Sequence, residues 1–434
     1  MKSAKEASTN ALTVLQLLMG DYHPRNFAVR LWDGREWPPE AAPPAFTLIF
    51  NHPRAVRCLL QSRGSDLAIS ESYIRGELDL DGNIEAAMPL AKYLTDRRWP
   101  VSTVLRIGWN GIRLLTNDRA GTNGQKAARL SGNLHSIERD RQAVTYHYDV
   151  SNDFYALWLD QQMVYSCAYF ESAEEDLDKA QTRKLDYLCR KLRLRSGERL
   201  LDIGCGWGGL AIYAAQHYGV EVLGITLSEN QASRANQRIG QARLQSHCRV
   251  EVLDYRRLNE ISRFDKLVSV GMFEHVGENQ LPLYFQHAYQ LLRPGGVFLN
   301  HGIAWRANEP KPNEANFLNR YVFPDGDLVP INTTLRCAET AGFEVRDVES
   351  LREHYALTLG HWARRLEQHR DRAVAAVGEP TYRVWKLFLR GSIYGFASGA
   401  INLYQTLLVK PDEGRSGLPL TRSDWYRTSA LPHK

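Results

Sequence analysis

The hydrophobic positions follow one pattern from Glu198 onward and a different one before it. Five short apolar runs, rich in β-branched residues and typical of buried strands, follow in order: ERLLDIGCG, VEVLGITLS, CRVEVLDY, FDKLVSVGM and GVFLNHGIA. Stretches with helical spacing, such as 229–245 and 279–292, separate some of them. This alternation predicts an α/β fold with a mostly parallel, doubly wound sheet that is covered on both faces. Residues 350–408 are predicted to add helices, including HYALTLGHWARRLEQHR and YRVWKLFLRGSIYGFASGAINLYQ.

The first hundred residues carry a smaller α/β pattern. AFTLIFNHPRAVRCLL predicts a strand, a turn and an amphipathic helix, and GELDLDG predicts another strand that turns into a further helix. Between Arg97 and Arg141 basic residues dominate and hydrophobic periodicity is low, which is typical of a linker or a surface arm. We therefore predict a smaller domain at 1–105, a basic linker at 106–138 and a catalytic domain at 139–434.

Composition and charge narrow the class of protein. The 434 residues carry a net charge of +5 and no run of the roughly 18 apolar residues that a spanning helix needs. The N-terminal segment lacks a small-residue cleavage site, so it predicts a helix of the mature protein rather than a signal peptide. The cysteines form no C-x-x-C pair, which argues against a disulfide scaffold or a zinc site and predicts the reducing cytoplasm. They are Cys58, Cys167, Cys189, Cys205, Cys248 and Cys337.

A glycine-rich turn follows the first predicted strand of the larger sheet. The segment LLDIGCGWGG places Asp202, Gly204, Gly206 and Gly209 between this strand and the next helix. Glycines there let the backbone approach a ligand, and the helix N-terminus offers unpaired N–H groups. The second strand ends at Thr226, where a dinucleotide-binding enzyme is expected to carry an acidic residue. The turn therefore favours an S-adenosylmethionine-dependent methyltransferase over an NAD enzyme.

A set of short motifs resembles one enzyme family. The strings YHYDVSNDFY, YSCAYF, DIGCGWGG, GITLSENQ, DYR, SVGMFEHVG and HYALTL occur in this order. They are similar to the cyclopropane fatty acid synthases, including the mycolic acid cyclopropane synthases, over roughly residues 140–410. The resemblance implies a Rossmann-like class I S-adenosylmethionine-dependent methyltransferase fold. The segment ESYIRGELDLDG is more loosely similar to the N-terminal lipid-binding-type domain of the family's phospholipid-acting members.

The resemblance implies two sets of site residues. One set holds S-adenosylmethionine and matches Tyr165, Ser166, Asp202, Gly204, Gly206, Thr226, Gln231 and Tyr255. The other set, which we call the ion cage, surrounds a bicarbonate ion in the family and matches Cys167, Glu274, His301, Ile303 and Tyr355. In this assignment Cys167 is a polar contact of the ion rather than a nucleophile, and Ile303 contributes only its main chain. Gly302 departs from the family, where many members have threonine.

The implied reaction adds a methylene from S-adenosylmethionine to the cis double bond of an unsaturated phospholipid acyl chain, with bicarbonate as the base that allows a cyclopropane ring to close. The smaller domain and the basic linker are then expected to dock on a membrane surface from the cytoplasm. Neither nucleic acid nor metal is an expected partner, and a homodimer is typical of the family. Alternatives are a methyl-branched or methylene product, N-methylation of a small amine, or non-enzymatic lipid binding. Aromatic candidates for stabilising a carbocation are Phe170, Phe273, Tyr394 and Phe396.

Overall fold

The computed structural model describes residues 2–61, 65–97, 127–259, 261–311 and 315–426, so most of the predicted basic linker lies outside the described residues. The described strands are β1 (Phe27–Leu31), β2 (Glu36–Trp37), β3 (Phe46–Phe50), β4 (Leu78–Gly82), β5 (Arg199–Ile203), β6 (Glu221–Thr226), β7 (Cys248–Val252), β8 (Phe264–Val270), β9 (Leu292–Trp305), β10 (Glu344–Ser350) and β11 (Ile401–Val409). The described α-helices are α1 (Lys2–Met19), α2 (Pro53–Gln61), α3 (Leu67–Ile74), α4 (Ile84–Asp96), α5 (Ile137–Tyr148), α6 (Asn152–Ala156), α7 (Leu177–Leu192), α8 (Gly209–Tyr218), α9 (Glu229–Gln241), α10 (Leu281–Leu291), α11 (Phe317–Tyr321), α12 (Ile331–Thr340), α13 (Arg352–Gln368), α14 (Arg370–Val377) and α15 (Glu379–Ser398).

The chain forms two compact units. The smaller unit combines the N-terminal residues with Pro310–Pro324 and Arg370–Tyr394. Both of these segments lie within 139–434, the range that the sequence analysis assigns to the catalytic domain. Arg383 explains part of this arrangement, because its guanidinium donates to the carbonyl of Tyr73 and pairs with Asp79 at 3.0 Å. The smaller unit is therefore assembled from distant parts of the sequence.

The smaller unit contains a four-stranded sheet in the order β2-β1-β3-β4. β1 and β3 are parallel, and the other neighbours are antiparallel. Alternate side chains of β1 and β3 are buried, and Phe27 stacks on Phe46 with ring centroids 5.2 Å apart. Helices α1, α2 and α4 contribute apolar faces to the same core, which is the packing expected of one half-buried sheet.

The larger unit contains a seven-stranded sheet in the order β10-β11-β9-β8-β5-β6-β7. The five predicted strands are β5 to β9, and their neighbouring pairs are parallel. The prediction of helix through GAINLYQ is wrong, because Gly399 at φ +75° follows the end of α15 and β11 begins at Ile401. β11 and β10 add two antiparallel strands at one edge.

The order of the strands places a crevice at the carboxyl end of β5. The chain runs from β5 to β6 and β7 on one side and then returns to β8 on the other side. Ligands of open α/β sheets bind at such a reversal, outside the carboxyl ends of the strands. Apolar clusters cover both faces of this sheet and leave that end for a ligand.

Candidate active site

A cavity lies at the carboxyl ends of β5, β6 and β8. Its empty volume is about 1100 Å³, including solvent at the mouth, which is enough for a cofactor-sized ligand. All eight residues of the predicted cofactor set line this cavity, which we call the cofactor cavity. They are Tyr165, Ser166, Asp202, Gly204, Gly206, Thr226, Gln231 and Tyr255.

The glycine loop forms the floor of the cofactor cavity. Gly204 has φ +81°, and a Cβ added there would lie 2.6 Å from the Cβ of Met272. Gly206 has φ +55°, and a Cβ there would meet no atom within 4 Å, so the residue faces open space. α8 begins at Gly209, and its first N–H groups point towards this end of the sheet. The loop therefore fits a ligand that approaches the backbone closely.

Polar side chains along β6 and α9 present hydrogen-bond donors. The hydroxyl of Thr226 donates to Oε1 of Gln231 at 2.7 Å, which fixes the orientation of that amide. The NH₂ group of Gln231 then remains to donate to a ligand. Ser228 caps α9, because its hydroxyl oxygen accepts from the N–H of Gln231 at 3.1 Å. This wall suits the hydroxyl and carboxylate oxygens of S-adenosylmethionine.

Lys184 is a site residue that the sequence analysis missed. It lines the cavity, is 1% exposed, and donates from Nζ to the hydroxyl oxygen of Ser166 at 2.8 Å. Because an ammonium only donates, the Ser166 O–H is not donated to Lys184 and is left for another acceptor, such as a ligand in the cavity that Ser166 lines. Burial lowers the pKa of Lys184 to about 8. The available signal was a lysine on the apolar face of α7, at helical spacing from Leu177, Gln181 and Leu188.

Asp202 provides an opposite charge at the same wall. Burial raises its pKa to about 7, and within the described residues its Oδ2 atom is buried without a hydrogen-bond partner. An unpartnered carboxylate oxygen of this kind costs free energy unless a ligand donates to it. Asp202 therefore fits the ammonium group of the methionine part of S-adenosylmethionine, while Ser166 fits its carboxylate.

The far end of the cavity carries a second ionic group that was also missed. Arg256 pairs with Asp254 at 2.7 Å and with Asp140 at 2.9 Å, and all three line the cavity. Tyr255 lies between Asp254 and Arg256, with its ring edge-on to Tyr284 at 5.4 Å. The paired charges hold this flat aromatic wall in place, which suits a purine ring.

The five residues of the ion cage lie beside the cofactor cavity rather than in its lining. Oε1 of Glu274 accepts from the main-chain N–H of Ile303 at 2.7 Å. Burial, together with the neighbouring Cys167 and Glu274, raises the pKa of the Tyr355 hydroxyl well above its usual range. His301 is two residues before Ile303 on β9, so both side chains point to the same face of the sheet. The structure thus brings Glu274 next to Ile303 and Tyr355 near Cys167 and Glu274, with His301 on the same face of β9 as Ile303.

Two buried atoms of the ion cage lack a hydrogen-bond partner among the residues that the structure describes. These atoms are Oε2 of Glu274 and Nε2 of His301. The N–H of Ile303 is already donated to Glu274, so this residue orients the carboxylate and does not donate to an ion. Burial raises the pKa of the Cys167 thiol, which keeps it neutral and unsuited to act as a thiolate nucleophile.

The packing of Phe273 explains why this chain has glycine at position 302. A Cβ at this position would lie 2.9 Å from Cδ1 of Phe273, and real Cβ contacts are longer than this. Threonine, which many related sequences are expected to carry here, would require Phe273 to move. The departure therefore changes the packing behind the ion cage and leaves His301 and Ile303 on the opposite face of β9.

Residues 135–406 match the family model described as mycolic acid cyclopropane synthetase. The chain belongs to this family. It is 42% identical over 404 residues to a probable fatty acid methyltransferase from Pseudomonas putida, covering 92% of this chain and 96% of that protein. The cyclopropane synthase MmaA2 from Mycobacterium tuberculosis has a similar structure, with a TM-score of 0.59 and 33% identity, covering 64% of this chain and 99% of that one. Mycolic acid cyclopropane synthase CmaA1 complexed with SAH and CTAB gives a TM-score of 0.59 and 35% identity over 62% of this chain and 97% of that one.

Membership of the cyclopropane synthase family makes the chain an S-adenosylmethionine-dependent methyltransferase. The predicted family and the predicted methyltransferase fold are confirmed. The cofactor cavity sits where the fold places its ligand, and its lining fits S-adenosylmethionine as argued above. The assignment of single residues as ligands of the cofactor or of an ion stays a prediction.

Of the four aromatic residues that the sequence analysis names as candidates for stabilising a carbocation, one contacts a residue of the ion cage in this synthase-family protein. Phe396 contacts the ring of Tyr355, with centroids 4.7 Å apart. Phe170 stacks on His361 and Phe273 packs against Tyr284, while Tyr394 belongs to the smaller unit. Tyr148 and Tyr165, which were not among the carbocation candidates, line the cofactor cavity with rings 6.1 Å apart.

We expect Glu274 to be protonated in mildly acidic solution and ionised above neutrality. Burial raises its pKa from 4.5 to about 7, against the opposing effect of the Ile303 N–H. Because the folded pKa lies above the unfolded one, its contribution to stability is full below the unfolded pKa and is lost as the pH rises through the folded pKa. Infrared difference spectra between about pH 5 and about pH 8 should show carboxylic acid absorption in the unmodified protein that is weaker in Glu274→Gln, where Asp202, whose pKa is also about 7, still contributes. Identical bands in both proteins would contradict this prediction.

Proposed function

We propose that this protein transfers a methylene group from S-adenosylmethionine to the cis double bond of unsaturated phospholipid acyl chains and closes a cyclopropane ring, with bicarbonate bound in the ion cage as the base. One observation carries the proposal: an unpartnered acceptor, Oε2 of Glu274, and an unpartnered ring nitrogen of His301 are buried beside the cofactor cavity. Bicarbonate carries both an O–H that needs an acceptor and oxygens that need donors.

The chemistry requires a base next to the transferred carbon. When bound, S-adenosylmethionine supplies a methyl group on an electrophilic sulfonium, and bicarbonate supplies a base for the proton that leaves this methyl. The alkene π electrons form the new C–C bond, the S–C bond breaks towards sulfur, and the electrons of the lost C–H bond close the ring. The residues of this chain place donor and base, and exclude water from the cation formed on the acyl chain.

Each residue of the ion cage has a separate role in holding the bicarbonate. Glu274, oriented by the N–H of Ile303, accepts the O–H of the ion when it is ionised. His301 and Tyr355 donate to the ion's oxygens, and the neutral Cys167 thiol completes the wall. A fixed set of donors and acceptors in a site without water is the arrangement that stabilises charge most effectively.

The partner is a lipid acyl chain. Among the similar proteins, one is a probable fatty acid methyltransferase and another was crystallised with CTAB, a lipid-like ligand. No helix among the described residues is both long and apolar enough to cross a membrane. We therefore propose that the protein works at the membrane surface from outside the hydrocarbon core, with the smaller unit as its docking part. Cytoplasmic location, predicted from the cysteine pattern, and a homodimer, predicted from the family resemblance, remain predictions.

A second product deserves a direct test, because the relative with 42% identity is described as a fatty acid methyltransferase. The first half of the mechanism is common to both products. If a hydride first shifts from the methylated carbon to the neighbouring cationic carbon, loss of a proton from the transferred methyl gives a methylene-bearing chain. If instead the proton leaves a chain carbon, the product is an alkene with a methyl branch, and a saturated methyl branch would need a separate hydride donor. A base in the ion cage favours loss of the proton from the transferred carbon, and this closes a ring when no hydride shift comes first.

The deciding experiment incubates the purified protein with labelled S-adenosylmethionine and anionic vesicles of unsaturated phospholipid. Mass spectrometry of the acyl chains should show a gain of one CH₂ and a product that resists ozonolysis, as a ring does and an alkene does not. A product cleaved by ozone at a new methylene would favour the second candidate. Label found only on an amine would overturn both.

A further inference from the structure

Three buried side chains form a hydrogen-bonded line that ends in the ion cage: Lys191 from α7, Gln405 from β11 and the cage residue His301 from β9. Each is 1% exposed. Nζ of Lys191 donates to Oε1 of Gln405 at 2.9 Å, and Nε2 of Gln405 lies 3.2 Å from Nδ1 of His301. His301 and Gln405 are directly paired in the antiparallel β9–β11 ladder, so their side chains stand next to each other on one face.

The line has only one consistent set of hydrogen bonds. An ammonium is a donor without acceptor capacity, so the Gln405 oxygen must face Lys191 and its NH₂ group must face His301. Nδ1 of His301 must therefore accept. The single proton of the neutral imidazole is then on Nε2, the nitrogen that is buried without a partner in the described structure.

We propose that Gln405, held by Lys191, is a positioning residue that fixes His301 as the Nε2–H tautomer and so keeps it a hydrogen-bond donor towards the ion cage. The inference rests on the proposed function for its purpose, because it supplies the donor that a bound bicarbonate needs. Its physical basis is separate, because it follows from the donor-only chemistry of Lys191.

The surroundings of the line support a neutral imidazole. Burial, together with the positive charges of Lys184 and Lys191, holds the pKa of His301 well below its usual range. Lys191 itself forms a salt bridge with Glu349 and a longer one with Asp347 at 3.6 Å. These contacts hold the lysine side chain in place, and His301 carries one N–H rather than two.

The tautomer matters for an anion. With the proton on Nε2, His301 donates to an oxygen of the ion, while Glu274 accepts the ion's O–H. With the proton on Nδ1, a lone pair would face the negative oxygen and repel it. The orientation of the Gln405 amide therefore decides, through the His301 tautomer, whether the imidazole attracts or repels an anion in the ion cage.

The primary test is the ¹⁵N spectrum of the full-length protein labelled at histidine, with the signals of His301 identified by their loss in His301→Asn. The unmodified protein should show a protonated Nε2 and an unprotonated Nδ1 near neutral pH. Gln405→Glu should reverse this pattern, because its carboxylate pairs with Lys191 and accepts from Nδ1. A protonated Nδ1 in the unmodified protein would overturn the inference, even if Gln405→Glu failed to fold.

Kinetics give the second readout. In buffer freed of carbon dioxide, with unsaturated phospholipid vesicles, Gln405→Glu should need at least about tenfold more added bicarbonate for half-maximal rate. The KM for S-adenosylmethionine should change less than about twofold. The matched control is Thr406→Val, a substitution of the residue that follows Gln405. It removes the buried hydrogen bond that the Thr406 hydroxyl donates to the carbonyl of Asn300 at 3.1 Å. It should leave the bicarbonate requirement unchanged.

The outcomes separate the two proposals. If the tautomer is as inferred but the unmodified enzyme needs no bicarbonate, the inference about Gln405 stands and the proposed base is wrong. If bicarbonate is required but Gln405→Glu changes neither the nitrogen signals nor the bicarbonate requirement, the proposed base stands and the role of Gln405 is wrong.

Discussion

Glu274→Ala is expected to lower the rate of methylene transfer about 10³-fold, a size typical of losing the group that positions a base. The substitution removes the unpartnered Oε2 atom and also frees the N–H of Ile303, so both the acceptor and its orientation are lost. The affinity for S-adenosylhomocysteine, measured by calorimetry, should stay within about threefold, because Glu274 does not line the cofactor cavity.

Cys167→Ser is the matched comparison from the same cage. Burial keeps its thiol neutral, and the sulfur lies 3.2 Å from the carbonyl of Ala168 and 3.8 Å from that of Leu351, so a hydroxyl can take over its polar contacts. We expect this variant to keep activity within about tenfold of the unmodified enzyme. An inactive Cys167→Ser together with a normal Glu274→Ala would require the ion cage to be abandoned and a thiol nucleophile to be considered.

Gly206→Asn is expected to weaken the binding of S-adenosylmethionine about 10²-fold, equivalent to about 2.7 kcal/mol. Gly206 has a left-handed backbone at φ +55°, which asparagine tolerates better than most residues, and its Cβ would meet no atom of the chain. The new side chain therefore fills space that the cofactor needs, without a clash in the protein itself. Calorimetry with S-adenosylmethionine measures the effect.

Gly197→Asn is the control for the backbone. Gly197 also has a positive φ, +82°, and a Cβ there would meet no atom within 4 Å, but it does not line the cofactor cavity. Both variants should lose a similar, small amount of stability in thermal unfolding, of about 1 kcal/mol. Unchanged cofactor binding in Gly206→Asn would show that the loop does not hold the cofactor.

The residues at strand ends could be predicted from the sequence. Asp202, Gly204 and Thr226 lie at the carboxyl ends of β5 and β6 or in the turn after them, and local patterns fix both the strands and their direction. Because neighbouring parallel strands end at one edge of a sheet, these residues had to meet. Glu274 was assigned differently, through the resemblance of SVGMFEHVG to the family.

Other parts depended on contacts between distant segments. Lys184 looked like one more charge on a helix, and its role became visible only with Ser166 at 2.8 Å. Gln405 lies in a segment that was partly predicted as helix, because its apolar residues fit either period over a short run. Its position next to His301 follows from the antiparallel pairing of β11 with β9, which the sequence does not specify locally.

The assembly of the smaller unit from the N-terminal region and two much later segments has a consequence for biosynthesis. Arg383 and Arg390 pair with Asp79 and Glu85, and the segment that carries them is made more than three hundred residues later. The N-terminal sheet can form early during translation, but its unit cannot be completed until α15 has left the ribosome. Nascent chains that stop before that helix should therefore be more easily cleaved by proteases within the N-terminal region than full-length chains are.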